Sequence, residues 1–214
     1  MTIAAVLFDL DGTLVDSLAL IRQTYYRVFQ ELAIPWGDDD VMKMIGLPLA
    51  QIAHHFAGEE RADYFVTVYR NYYTTDHDVY TRAYPGTKEL LEHLQRQDYR
   101  LGVVTSKGRD VALRSLEYLD LVQYMDVVIT AQDVVSHKPE PGPVLKALEC
   151  LGIKPIDAVY VGDSPFDLLA GRRAGTKTIG VTWGMATREE LGMNEPDLLI
   201  EQWSELIDWL DSGV

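Results

Sequence analysis

Nine residues near the start of the chain, Val6-Leu7-Phe8-Asp9-Leu10-Asp11-Gly12-Thr13-Leu14, restrict the fold more than any other stretch. An apolar run that stops at turn residues reads as a strand buried on both faces, and such strands belong to parallel sheets covered by helices. Open α/β sheets hold their ligands outside the carboxyl ends of their strands, which is where Asp9 and Asp11 fall. Two apart along an extended chain, the two carboxylates share a face. Like charges that close require a cation or a retained proton; a divalent metal on one and a proton on the other satisfies both. Asp-Gly alone reads as a turn with a helix cap. The fuller string Asp-x-Asp-Gly-Thr favours chemistry.

The rest of the chain supports a sheet of that kind. From Tyr84-Pro85-Gly86 onward, apolar runs at 100–105, 127–130, 158–162 and 178–181 alternate with amphipathic stretches at 87–97, 109–119, 142–151 and 166–174. Alternation of strand and helix signals a parallel, doubly wound, Rossmann-like α/β sheet. Leu198-Leu199-Ile200 reads as an edge strand before a last helix, 203–210. Between the first strand and the second, helical periodicity takes over: Leu18, Ile21, Tyr25, Val28, Phe29 and Leu32, then a short helix begun at Asp38 to Asp40, then Leu49, Ile52, Ala53 and Phe56, then Ala62, Phe65, Val66, Tyr69 and Tyr73. No strand signal interrupts it. The chain therefore divides into an α/β core, residues 1–15 and 82–214, and an inserted all-helical cap, residues 16–81.

A net charge of -14 disfavours nucleic acid and anionic membranes as partners. A small anionic substrate stays compatible, because one metal ion and one lysine invert the field locally. The lone cysteine, Cys150, forbids an internal disulfide and points to a reducing compartment; beside Leu148 and Leu151 it reads as a buried, inert thiol. Neither a signal peptide nor a membrane span is legible, so the expected location is the cytoplasm.

Three further strand ends carry reactive residues. Thr105-Ser106-Lys107 offers a hydroxyl and backbone N–H groups for phosphate oxygens, or an ordinary helix cap. Lys138, between His137 and Pro139, offers a fixed positive charge, or a solvated loop lysine. In Gly162-Asp163-Ser164-Pro165-Phe166-Asp167, Asp163 and Asp167 can face one pocket, one of them as a hard oxygen ligand for Mg²⁺; helix capping by Asp163 and dipole stabilisation by Asp167 is the alternative. His54, His55 and His137 read as surface, packing or loop residues.

Asp9-Leu10-Asp11-Gly12-Thr13, Thr105-Ser106, Lys138-Pro139 and Gly162-Asp163-Ser164 through Asp167 together resemble the four motifs of the haloacid dehalogenase-like phosphohydrolase superfamily. The cap inserted after the first motif is similar to that of the phosphoglycolate phosphatase and β-phosphoglucomutase branch, and most similar to phosphoglycolate phosphatases and a related pyrophosphatase. The resemblance implies a Mg²⁺-dependent phosphatase acting on a small phosphorylated metabolite. Asp9 would be the nucleophile, forming an aspartyl-phosphate. Asp11 would act as acid, then base. Mg²⁺ would be held by the carboxylates of Asp9 and Asp163 and the main-chain carbonyl of Asp11. Thr105 and N–H groups near Leu10, Asp11 and Ser106 would hold phosphate oxygens, and Lys138 would neutralise the transferring group. Asp167 would orient Lys138 or a metal-bound water, and Thr13 would steady the turn carrying Asp11. In the cap, Gly46, Leu47 and Lys43 are the expected substrate contacts.

An inorganic pyrophosphatase and a phosphosugar mutase are the alternatives within the superfamily. The mutases carry an arginine-containing cap segment; the corresponding Met42-Lys43-Met44-Ile45-Gly46-Leu47-Pro48 has none. A dehalogenase is disfavoured by the presence of Asp11. A phosphoacceptor receiver shares the acidic residues, the hydroxyl and the lysine, but is far shorter and needs no cap. The substrate and the choice between monomer and homodimer stay open.

Overall fold

The computed structural model describes residues 3–38 and 40–213. In chain order the main elements are β1 (Ala5–Phe8), β2 (Val15–Asp16), α1 (Leu18–Glu31), α2 (Leu49–Ala57), α3 (Ala62–Tyr80), β3 (Arg82–Ala83), α4 (Thr87–Arg96), β4 (Arg100–Val104), α5 (Arg109–Tyr118), β5 (Val127–Ile129), α6 (Gly142–Leu151), β6 (Ala158–Gly162), α7 (Pro165–Ala174), β7 (Lys177–Val181), α8 (Arg188–Gly192), β8 (Leu198–Ile200) and α9 (Trp203–Asp211).

The side chains of β1 alternate between two apolar layers, as a strand's period of two requires. Val6 and Phe8 pack with Leu90, Leu94, Leu116 and Leu206 on one face. Ala5 and Leu7 pack with Val144, Leu148 and Ala170 on the other. Burial of each large apolar side chain contributes about 1.5–3 kcal/mol, so a polar residue on either face of β1 would be costly. Helices α4, α5 and α9 thus cover one side of the sheet, and α6 and α7 the other.

The sheet has six parallel strands in the order β5-β4-β1-β6-β7-β8. Phe8 stands between Val103 and Val161. From β1 the chain runs outward through β4 to β5, then crosses over to β6 and winds the other way. That reversal opens a crevice at the carboxyl end of β1, where Asp9 and Asp11 emerge. The expected edge strand 198–200 is β8, paired only with β7 among the described strands.

Helices α1, α2 and α3 enclose an apolar cluster of their own, built on Tyr25, Phe29, Ile52 and Phe65. Residues Leu20, Ile21, Thr24, Tyr25, Val28 and Phe29 of α1 are buried, the stripe that a 3.6-residue period produces. Phe29 lies 5.1 Å from Phe56 and 6.0 Å from Phe65, centroid to centroid.

The helical segment is not reached by loops alone. Val15 and Asp16 pair antiparallel with Ala83 and Arg82, so a two-stranded ribbon joins its entry to its exit. Two residues per strand are too few for an alternation to show, and only the approach of distant segments creates the pairing. The expected helix at Asp38 to Asp40 is a single 3-10 turn, Met42–Met44; Asp39 lies outside the described residues. Helix α8 has no counterpart in the periodicity, although the capping box of Thr187 and Glu190 marks its start. Cys150 is exposed, not buried. The inner face of α6 is formed by Val144, Ala147 and Leu148, and position 150 turns away from it.

Candidate active site

A cavity of about 490 Å³ opens between the carboxyl ends of the strands and the helical segment. Asp9, Asp11, Thr105, Lys138 and Asp163, from four strand ends, meet there.

Lys138 is 2 % exposed and joins two carboxylates: its Nζ donates to Asp9 Oδ1 at 2.8 Å and to Asp167 Oδ1 at 2.6 Å. The two anions hold the ammonium above its usual range despite burial, which acts the other way. Asp9 Oδ2 meets no donor among the described residues. Burial, opposed by Lys138, pushes the Asp9 carboxyl up to about 7.

Asp163 comes from the turn after β6. Thr13 Oγ1 donates to its Oδ1 at 3.1 Å, and the Met185 N–H donates to its Oδ2 at 2.7 Å. Burial, and then the neighbouring Asp167 and Asp9, raise its carboxyl well above the carboxylate range. Two glycines make room for it. A Cβ on Gly12, whose φ is +83°, would lie 2.1 Å from Asp163 Oδ2, and one on Gly184 would lie 2.2 Å from Asp163 Cβ. The turn itself is set by α7, where Ser164, not Asp163, is the N-cap and Asp167 closes the capping box.

One carboxylate oxygen from each of Asp9, Asp163 and Asp167 lies within 4.8 Å of the other two. Both Asp167 oxygens are already committed. Oδ1 takes Lys138 and the Tyr160 hydroxyl, the latter at 3.0 Å, and Oδ2 takes the Ser164 N–H and hydroxyl. Asp9 and Asp163 therefore fit a hard cation as direct ligands better than Asp167 does. The main-chain carbonyl of Asp11 accepts no hydrogen bond from a described residue, which suits the same role. The Asp11 carboxylate lies outside the acidic trio: its Oδ1 accepts from the Ser17 hydroxyl and, at 2.6 Å, from Lys107 Nζ.

Among the described residues, no acceptor meets the N–H of Leu10, Asp11, Gly46 or Ser106. Backbone donors are almost always paired when buried, so this row of free N–H groups can receive an anion. The Thr105 hydroxyl lines the cavity and accepts from the Lys107 N–H at 3.2 Å. The Ser106 hydroxyl is turned elsewhere and donates to the Gly46 carbonyl. Gly46 and Leu47 line the cavity. Lys43 does not: it pairs with Asp40 at 2.8 Å on the exposed surface. His54 and His55 are exposed on α2, while His137 lines the cavity. Thr13 acts on Asp163, across 150 residues, rather than only on its own turn.

Several participants carried no legible signal. Lys107 is a half-buried cation that also donates to the Tyr73 hydroxyl at 2.6 Å, linking the end of β4 to α3. Gly184 and Met185 follow β7, a strand end that the motifs did not mark. Tyr160 supports Asp167 from within β6. Ordinary residue types in these places acquire a role only through what folds against them.

Comparison with known proteins places these features in context. A family model described as haloacid dehalogenase-like hydrolase matches residues 6–181. Pyrophosphatase PpaX of Bacillus velezensis is 37 % identical over 208 residues, covering 96 % of this chain and 95 % of its own. A protein of Caldanaerobacter subterraneus subsp. tengcongensis, given the same pyrophosphatase name provisionally, is 39 % identical over 208 residues, covering 97 % of this chain and 94 % of its own. The crystal structure of a predicted phosphoglycolate phosphatase from Haemophilus somnus has a TM-score of 0.87 at 26 % identity, covering 98 % of each chain.

Proposed function

This chain belongs to the haloacid dehalogenase-like hydrolase family and is a phosphatase, and on that premise we propose that it hydrolyses a small phosphorylated metabolite or pyrophosphate through an aspartyl-phosphate on Asp9. One observation carries the reading: Asp9 lines the cavity with one oxygen fixed by Lys138 and the other without a donor. That free oxygen attacks phosphorus, and the bond from phosphorus to the leaving oxygen breaks. Asp11 gives the leaving oxygen a proton, then takes one from the water that attacks the aspartyl-phosphate. Phosphate departs and the Asp9 carboxylate is restored.

The free N–H groups of Leu10, Asp11 and Ser106, with the Thr105 hydroxyl, hold the phosphoryl oxygens, and Gly46 offers a further N–H from the helical segment. Lys138 balances charge on the transferring group, and Asp167 and Tyr160 keep Lys138 in place. A divalent cation, for which Mg²⁺ suits the all-oxygen donor set, would be held by Asp9, Asp163 and the Asp11 carbonyl. When bound it offsets the repulsion between carboxylate and phosphate. The helical segment, residues 16–81, acts as a cap that excludes water.

The relatives named as pyrophosphatases favour pyrophosphate over a monoester, while the structural neighbour, a predicted phosphoglycolate phosphatase, favours phosphoglycolate. The mutase reading is set aside for want of an arginine at 42–48. Among the described residues no helix is long and apolar enough to cross a membrane. The single cysteine and the net charge of -14 support a cytoplasmic enzyme without nucleic-acid partners. The test is turnover of a phosphate panel with Mg²⁺, repeated after chelation and with Asp9→Asn. Activity should vanish in both controls; near-normal kcat in Asp9→Asn rejects the nucleophile.

A further inference from the structure

We propose that Arg70, on α3, binds a second anionic group on the leaving side of the substrate and so selects substrates that carry one. The inference rests on the phosphatase reading above and extends it to a residue that no motif marks.

Arg70 lines the catalytic cavity from the helical segment, with Tyr69, Tyr73 and Thr74 of the same helix. Positions 70, 73 and 74 share a face because neighbours three and four apart on a helix lie together. Its charge is uncommitted. Every other described arginine has a hydrogen bond, an ion pair or a ring contact, for example Arg27 to Asp76 at 2.8 Å and Arg114 to Asp78 at 2.9 Å. Arg70 has none with any described residue, in a chain with 33 acidic residues and 19 basic ones. An arginine left unpaired amid such an excess of carboxylates, and facing a cavity, is available to an anion from outside the chain.

The other cations of the cavity are already engaged. Lys138 is held by Asp9 and Asp167, and Lys107 by Asp11 and Tyr73. A cavity of about 490 Å³ has room for more than one phosphoryl group. The inner end, at Asp9 and Asp163, takes the phosphoryl that is transferred. What lies toward α3 is the leaving group, and there a planar guanidinium offers a phosphoryl or a carboxylate two parallel hydrogen bonds. Asp110 on α5 also lines the cavity but is not paired with Arg70, so it disfavours bulky anions on its own side without cancelling the arginine. The chemistry selected is a phosphate joined to a second anion. The second phosphoryl of pyrophosphate and the carboxylate of phosphoglycolate both qualify; the hydrophobic ring of phenyl phosphate does not.

The test compares the enzyme with Arg70→Gln and Arg70→Lys in saturating Mg²⁺. Arg70 is exposed, so neither change threatens the fold. For each variant kcat/KM is measured on pyrophosphate, phosphoglycolate and phenyl phosphate. Arg70→Gln should lower the ratio of pyrophosphate, phosphoglycolate or both to phenyl phosphate by about 10- to 100-fold, the range for loss of charge-assisted hydrogen bonds. Whichever ratio falls identifies the second anion. Arg70→Lys should recover part of the loss. Ratios within twofold of wild type on both anionic substrates, or equal losses on all three, overturn the proposal. Calorimetric titration with imidodiphosphate and with orthophosphate separates this from failure of the catalytic reading. A wild-type protein that turns over nothing defeats the phosphatase mechanism. Even then, imidodiphosphate binding weakened at least tenfold by Arg70→Gln, with a smaller effect on orthophosphate, supports the anion contact. Equal affinities in the two proteins overturn it.

Discussion

Lys138→Met keeps the length of a buried side chain and deletes its charge. In the native protein the ammonium donates to Asp9 Oδ1 at 2.8 Å and to Asp167 Oδ1 at 2.6 Å, and the lysine side chain is 1 % exposed. Hydrogen bonds to charged groups contribute about 1.5–3 kcal/mol each. Removing one partner of a buried ionic cluster costs about 3–5 kcal/mol, because the remaining charge is left uncompensated. The expected loss in metal-free buffer at pH 8 is therefore about 3–5 kcal/mol, a large part of a typical stability of about 5–15 kcal/mol. The loss depends on pH. Without Lys138 the carboxylates bind protons more tightly in the folded protein than in the unfolded chain. The penalty is full at pH 8, shrinks as pH falls, and disappears only below about pH 4, where the folded and unfolded carboxyls are both largely protonated. Urea unfolding at pH 5 and pH 8, with and without Mg²⁺, measures it. Added Mg²⁺ should return more than about 1 kcal/mol by supplying positive charge. It should not restore kcat, which should drop by at least about 10²-fold. A loss below about 1 kcal/mol at pH 8, an equal loss at both pH values, or kcat within tenfold of wild type refutes the reasoning.

Three more perturbations test the same site and its surroundings. In the metal-free wild-type protein, burial pushes the Asp9 carboxyl up to about 7; the stability it contributes is complete below about pH 4 and is lost as pH rises through its folded value. Urea midpoints in chelator should fall from pH 5 to pH 8 and flatten in Mg²⁺, and a rising midpoint in chelator contradicts the account. Gly184→Ala would place a Cβ 2.5 Å from the Gly12 carbonyl oxygen as well as against Asp163. It should cost about 1–3 kcal/mol or more by overpacking and weaken Mg²⁺ activation at least threefold; an unchanged Tm with normal activation excludes so tight an approach. Cys150 is exposed, so a thiol reagent should modify it in the native protein without loss of activity, and a need for denaturant would put the residue back inside.

The strands and most helices were readable because their signals are local. Leu18 to Leu32 shows its helical stripe without reference to anything else, and the apolar runs at 100–105 and 158–162 need only their flanking turns to read as strands. The fold class follows from their alternation, since parallel neighbours require crossovers. The ribbon of β2 and β3 escaped because each strand has two residues and its partner is more than sixty positions away. Cys150 reads as buried beside Leu148 and Leu151 but is exposed, because two nearby leucines do not settle which face of α6 position 150 lies on.

The site divides the same way. Asp9, Asp11, Thr105, Lys138 and Asp163 could be picked out because strand ends in an α/β sheet converge by construction, whatever the loops do. Which oxygen meets which donor could not. Ser106 offered the same hydroxyl as Thr105, yet it is spent on Gly46, 60 residues away. Lys43 was as plausible a cap contact as any, yet it faces Asp40 and solvent. Lys107 carries no signal of a role in the sequence, yet it joins Asp11 to Tyr73. Sequence determined the strands, their order of appearance and the chemistry waiting at their ends, because backbone preference and hydrophobic period act over a few residues. Tertiary structure alone decided the pairings, because a hydrogen bond depends on the ångström-scale approach of atoms that the chain leaves up to 150 residues apart.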